Sequence, residues 1–205
     1  MTKLLISLAL MGVCAAAQAQ AQTSKWRFFA GVGLSNGGET IAAGTITTIG
    51  TTQVLPFEIQ AGTGTQYRLG ADYRLADRVT LQGSIGRSVS DPMGMNGSLT
   101  FTLTPVELLG FVNMTDALRI GAGVRKSSAE MTGTGISANW SGNGSYSSSG
   151  GSVVEAQYLF ATSEAMPGAQ KSQFGISARF VNESFNHNSV TFKGNTYEVG
   201  LALYY

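Results

Sequence analysis

The segment Asn195–Tyr205, NTYEVGLALYY, alternates residue by residue. Tyr205, Leu203, Leu201, Val199 and Tyr197 are large and apolar, whereas Tyr204, Ala202, Gly200, Glu198 and Thr196 are small, polar or amphipathic. Successive side chains of a β-strand point to opposite faces, so a period of two marks a strand whose faces meet different surroundings. A soluble sandwich and a membrane barrel both use such strands, and the rest of the chain has to separate them.

The same period recurs along the chain. WRFFAGVGLS sets Trp26, Phe28, Ala30, Val32 and Leu34 against Arg27, Phe29, Gly31, Gly33 and Ser35, and QYRLGADYRL sets Tyr67, Leu69, Ala71, Tyr73 and Leu75 against Gln66, Arg68, Gly70, Asp72 and Arg74. Further strands are read at Val79–Ser90, Leu99–Phe111, Leu118–Arg125, Val153–Phe160 and Gln173–Glu183, which with the terminal segment makes eight. On seven of them the apolar face is uniform, and it is expected to carry Ile85, Ile120, Ile176 and Leu201 outward. The other faces combine glycine with charges of both signs: Arg68, Arg74, Arg119, Arg125 and Arg179, with Arg27, against Asp72, Glu155, Glu183 and Glu198. Interleaved opposite charges suit the crowded interior of a narrow barrel, where water is scarce and each charge needs a partner. Leu99–Phe111 departs from the pattern, because alternation counted from an outward Leu99 aims Glu107 at lipid; a bulge near Thr104–Pro105 is expected there.

Composition agrees. Of 205 residues only 12% are charged, 27 are glycine, and the mean hydropathy is +0.08. No stretch beyond the N-terminus reaches the ~20 apolar residues of a membrane helix. Residues 1–21, MTKLLISLALMGVCAAAQAQA, carry Lys3, an apolar run and small residues, and read as a secretory signal peptide cleaved after Ala19 or Ala21. The one cysteine, Cys14, leaves with it, so residues 22–205 hold no thiol, and twelve basic residues balance twelve acidic ones. That balance gives no reason to expect nucleic acid as a partner.

Turn lengths alternate. LADRV, NMTDAL and the somewhat longer TSEAMPGAQKS are short connections; residues 36–59, DPMGMNG, AEMTGTGISANWSGNGSYSSSGG and SFNHNSVTFKGN are long and polar, with 143–151 read as a mobile loop. Outer-membrane barrels have short periplasmic turns and longer extracellular loops. With the short turns in the periplasm, Trp26, Tyr73, Phe111, Phe160, Phe174 and Tyr205 fall at one rim, as an interfacial aromatic girdle. The expected fold is all-β: an eight-stranded antiparallel up-and-down transmembrane β-barrel whose last strand closes against the first, with Tyr205 at the membrane surface.

The leader, the eight amphipathic strands and the terminal Tyr197, Val199, Leu201, Leu203, Tyr205 signature resemble the small bacterial outer-membrane barrels of the OmpA-type and OmpX-type superfamily. The resemblance covers residues 26–205. It implies a monomer in the outer membrane of a Gram-negative cell, contact with outer-membrane lipid and lipopolysaccharide, and handling by the barrel assembly machinery. The role implied is structural, surface-interactive or adhesive, with a narrow channel or small-ligand carrier as the alternative.

Catalytic chemistry has one candidate. His187 precedes Ser189 by two residues and Glu198 follows, which would suit a Ser-His-acid hydrolase. Barrel-shaped lipid A deacylases have a similar His-x-Ser-Asn segment, but Val190 stands where they have Asn, and the surrounding sequence reads as a loop. No enzyme activity is expected. A single histidine without cysteine cannot build a nitrogen or sulfur metal cage, and GTGT and GAGVR lack the following helix of a phosphate-binding loop, so no metal and no cofactor are expected.

Overall fold

The computed structural model describes residues 25–47, 54–91, 93–94, 97–160 and 172–205. The expected leader at 1–21 and most of the turn at 162–172 lie outside them. The strands are β1 Trp26–Gly37, β2 Thr40–Thr47, β3 Val54–Gln60, β4 Gly64–Ala76, β5 Val79–Ser90, β6 Met93–Gly94, β7 Gly97–Asn113, β8 Leu118–Gly133, β9 Gly144–Phe160, β10 Gln173–His187, β11 Val190–Lys193 and β12 Thr196–Tyr204.

Eight of them close a ring. β1 pairs with β4, then β5, β7, β8, β9, β10 and β12 follow, and β12 returns to β1, every pair antiparallel. Closure satisfies the backbone groups that an open sheet would leave bare at its edges. The alternation read from the sequence sets the facing. Val32, Leu69, Ile85, Leu108, Ile120, Val154, Ile176 and Leu201 are all exposed on the outer wall, and the charged rows point in. Seven to nine residues per strand make this apolar belt; at a tilt of about 40° they rise about 18–23 Å, close to the height of an outer-membrane barrel's belt.

Interior aromatics rest on glycines, two on neighbouring strands and Gly194 in the β11–β12 connection. A Cβ at Gly70 would lie 2.5 Å from the Phe29 ring, one at Gly121 2.6 Å from Phe111, and one at Gly194 2.4 Å from Phe185. Any larger residue would expel the ring from a barrel this narrow.

The described parts of the long connections form strands, and three expectations need correcting. First, β7 has no bulge at Thr104–Pro105: its register with β8 runs unbroken from Leu99↔Gly133 to Asn113↔Arg119. Leu99, Phe101 and Leu103 point inward together with Glu107. The parity is simple once apolar residues are allowed inside. Second, residues 144–151 are not a loop but the first half of β9. Gly150, at φ +86°, is an extra residue that shifts register against both β8 and β10. Tyr146 and Ser148 therefore share the inward face with Val153 and Glu155 although their numbers differ in parity. Third, residues 184–193 form a hairpin, with β10 running to His187 and β11 starting at Val190. Asn188 and Ser189 make its two-residue turn with φ of 47° and 67°, the left-handed values that a tight hairpin of this twist requires.

The β2–β3 hairpin is a separate two-stranded sheet at the long-loop end. Glu39 anchors it: its amide donates to the Lys193 carbonyl at 2.7 Å, and its carboxylate accepts from the Lys193 amide at 2.8 Å. Ala42, Ile59 and Ala61 join Leu99, Phe101, Leu103, Ala129, Met131, Tyr146 and Phe185 in the largest apolar cluster. The main hydrophobic core thus lies inside the barrel's long-loop end.

Candidate functional site

From the short-turn end upward, the barrel lumen is layered. An open vestibule of about 610 Å³ is walled by Arg27, Arg74 and Arg78 with Asp77 and Asp116, and reaches Asp72. Asp72 accepts from Arg27 at 2.6 Å, Arg119 at 2.7 Å and Gln82 at 2.7 Å. Arg119 also donates to Gln157 at 2.7 Å and to the Tyr204 hydroxyl at 3.1 Å, while its guanidinium lies 4.4 Å over the Phe111 ring.

Two arginines organise the layer above. Arg179 reaches Glu107 at 2.6 Å, Glu198 at 2.7 Å and Glu155 at 3.0 Å. Arg125 reaches Glu198 at 2.9 Å, Glu183 at 3.0 Å and Glu107 at 3.3 Å. Arg68 completes it at 3.5 Å from Glu155. Short polar side chains add hydrogen bonds: Gln66 on Glu198, Ser84 on Glu107, Ser127 and Ser148 on Glu183. Five acids, Asp72, Glu107, Glu155, Glu183 and Glu198, face five arginines, Arg27, Arg68, Arg119, Arg125 and Arg179. The lumen is neutral and cross-braced between all eight barrel strands. Over it sits the apolar cluster, closed by Ile59 and Ala61 at 0% exposure.

Of the residues expected in the interior charge network, Arg68, Asp72, Arg119, Arg125, Glu155, Arg179, Glu183 and Glu198 lie in this lattice. Arg74 does not: it is exposed at the vestibule wall, one rung beyond the buried layer. Glu107, central to the lattice, was expected to aim at lipid without a bulge. Its signal was the carboxylate itself, which no belt strand tolerates facing outward and which therefore fixes the parity of β7.

Of the expected girdle, Trp26 and Tyr73 pack at 4.7 Å between centroids, and Phe160 and Phe174 at 6.0 Å, on the outer wall at the short-turn rim. Tyr205 follows β12 there, its amide donating to the Phe28 carbonyl. Phe111 belongs elsewhere. It is fully buried inside the barrel beneath Arg119, because it shares the face of Glu107.

The hydrolase candidates are not assembled. His187 stacks on Tyr146 at 4.2 Å, its Nδ1 2.9 Å from the Ser145 carbonyl oxygen and its Nε2 2.9 Å from the Asn188 amide. Ser189 is exposed in the turn, and Glu198 is held by Gln66, Arg125 and Arg179. No hydrogen bond joins the three. Among the described residues no group of three or more His, Cys, Asp or Glu is placed to hold a metal ion.

Known proteins fit this geometry. Residues 5–201 match the model of the outer membrane protein beta-barrel domain. The chain belongs to that family. The solved structure of Ail, the attachment invasion locus protein of Yersinia pestis, in complex with the heparin analogue sucrose octasulfate, shares the barrel fold, with 12% identity and a TM-score of 0.53, and with 88% of this chain and 97% of that chain covered. Neisserial surface protein A has 10% identity and a TM-score of 0.48, covering 88% and 96%. OprG of Pseudomonas aeruginosa has 10% and 0.42, covering 89% and 96%. No curated protein matches the sequence. The exposed apolar belt has the height that a wall embedded in an outer membrane needs.

Proposed function

We propose that this protein is a sealed, monomeric surface barrel of a Gram-negative outer membrane, reached by secretion across the inner membrane, whose role is structural or interactive rather than catalytic or conductive. One observation carries the proposal: above the open vestibule the lumen is filled, by the Asp72–Arg119 layer, by the Arg125–Arg179 lattice and by the apolar cluster under Ile59. A conduit would need a gap in each of them.

The long-loop end supplies what a surface-interactive protein presents. Beyond the belt, β7 to β10 continue as a rigid crown, and their outward residues change to Thr100, Thr102 and Thr104, to Lys126, Ser128, Glu130 and Thr132, and to Ser145, Ser147 and Ser149. Strands hold this polar face at fixed spacing, which a loose loop would not. In this reading His187 is a packing residue of the crown, the surrounding partners are outer-membrane lipid and lipopolysaccharide, and the barrel assembly machinery inserts the chain.

Planar-bilayer recordings of the refolded protein test the proposal: no conductance steps above the bare bilayer are expected, and steady ohmic steps would select the channel reading. Cells displaying the protein should bind surfaces or one another more than cells displaying a barrel in which residues 134–143 are cut to an Asn-Gly turn. Equal binding by both would leave a structural role.

A further inference from the structure

A groove on the outer wall joins the apolar belt to the β2–β3 hairpin. Its lower part, about 260 Å³, is a dent among Val32, Ile176, Val199 and Leu201, where Gly33 pairs with Gly200. A Cβ at Gly33 would meet the Val199 carbonyl oxygen at 2.7 Å, so the strands approach this closely only with glycine on the rung. The upper part, about 630 Å³, runs beneath β3 between Glu58 and the strand ends that carry Thr65, Asp91 and Tyr197. Leu34 and Val199 line both parts, which makes them one continuous track.

The two ends differ in chemistry. The lower side chains are all hydrocarbon and stand among the exposed residues of the belt. The upper end has hydroxyl and amide groups and two carboxylates, Glu58 and Asp91, with no Lys or Arg in its lining. Hydrogen bonds from the Thr40 hydroxyl and from Gln60 hold the Glu58 carboxyl below its usual range, so it is ionised at neutral pH. An anionic head group at this position would face two carboxylates and no cation of the lining, the nearest on this face of β5 being Arg87 below Val89, whereas an ammonium would be matched.

We infer that this groove is a binding site for one acyl-chain amphiphile with a cationic, hydroxylated head group. The chain lies along Leu34, Val199 and the Gly33–Gly200 dent; the ammonium meets Glu58 and Asp91; the hydroxyls reach Asn36 and Thr65. The inference rests on the belt being embedded in membrane.

The test uses the full barrel in phosphatidylcholine nanodiscs, with doxyl-labelled stearylamine and doxyl-labelled stearic acid as matched probes of opposite head charge. Stearylamine should broaden the backbone amide signals of Val32, Leu34, Val199 and Leu201 in preference to Val106 and Leu108 across the barrel, and stearic acid should not. Joint Glu58→Gln and Asp91→Asn substitution should weaken the stearylamine effect about five-fold, as expected for two exposed ion pairs. Even broadening around the belt, an unchanged effect in the double variant, or equal broadening by stearic acid would each overturn the site. Doxyl-labelled phosphatidylcholine separates this from the reading beneath: if it broadens no belt residue at all, the membrane embedding itself is wrong.

Discussion

Arg179 shows what a single residue does in this lumen. It sits at 4% exposure with three glutamates on its guanidinium, so no counter-charge is wasted and little water is needed. Arg179→Met should cost ~3–5 kcal/mol, because it leaves buried carboxylates short of a cation. Urea titration in lipid vesicles checks this, and a loss under 1 kcal/mol, the range of an exposed pair, would mean that water reaches the lattice. Phe111 makes a second residue-scale case. Phe111→Ala should cost ~3–5 kcal/mol as a buried ring is lost, whereas Phe160→Ala, on the outer rim at 40% exposure, should cost clearly less. Equal losses would return Phe111 to the girdle. The sequence could not separate these two phenylalanines by type; only the parity of Glu107 distinguishes them.

Strands carry their information in parity, which sets what could be read at the scale of the element. β1, β4, β5, β8, β10 and β12 alternate without interruption through the belt, and their faces were legible. β7 was misread because Leu99, Phe101 and Leu103 are apolar residues inside the barrel, as Leu109 and Phe111 are at belt depth, so polarity alone does not mark its inner face. β9 was half lost because Gly150 reverses its parity. β11 was lost because four residues after an Asn-Ser turn give too short a pattern. Two substitutions test the facing. Ile176→Arg, outward in the belt, should cost ~2–4 kcal/mol in vesicles; no loss there would contradict the outward facing of β10. Ser189→Gly, at φ 67°, should leave stability unchanged or raise it, since glycine adopts that conformation freely, while Ser189→Val should lower it. Thermal unfolding of the pair, if Val were the more stable, would show that residues 184–193 do not form this hairpin.

At the scale of the molecule, the chain divides its interior by depth. In the part ringed by the apolar belt, charges brace the interior together with buried rings, Phe111 and Tyr204 lying against Arg119. Above the belt the outer wall turns to Ser and Thr, and the inside turns apolar, as in a soluble protein. Sequence alternation reports only that two faces differ, so it found the barrel but not this inversion; the hairpin that caps it depends on contacts between residues 39–61 and 185–196 that no local pattern encodes. The claim on which the rest depends is that Val199 and Leu201 face lipid while Glu198, Gly200 and Ala202 face a packed lumen. Nitroxide labels placed singly at positions 198 to 202 of the protein in vesicles measure this through collisions with oxygen, which concentrates in lipid, and with a water-soluble nickel chelate. Strong oxygen and weak nickel collisions are expected at 199 and 201, with little of either at 198, 200 and 202. Strong nickel collisions at 199 and 201 would place that face in water and contradict the membrane barrel.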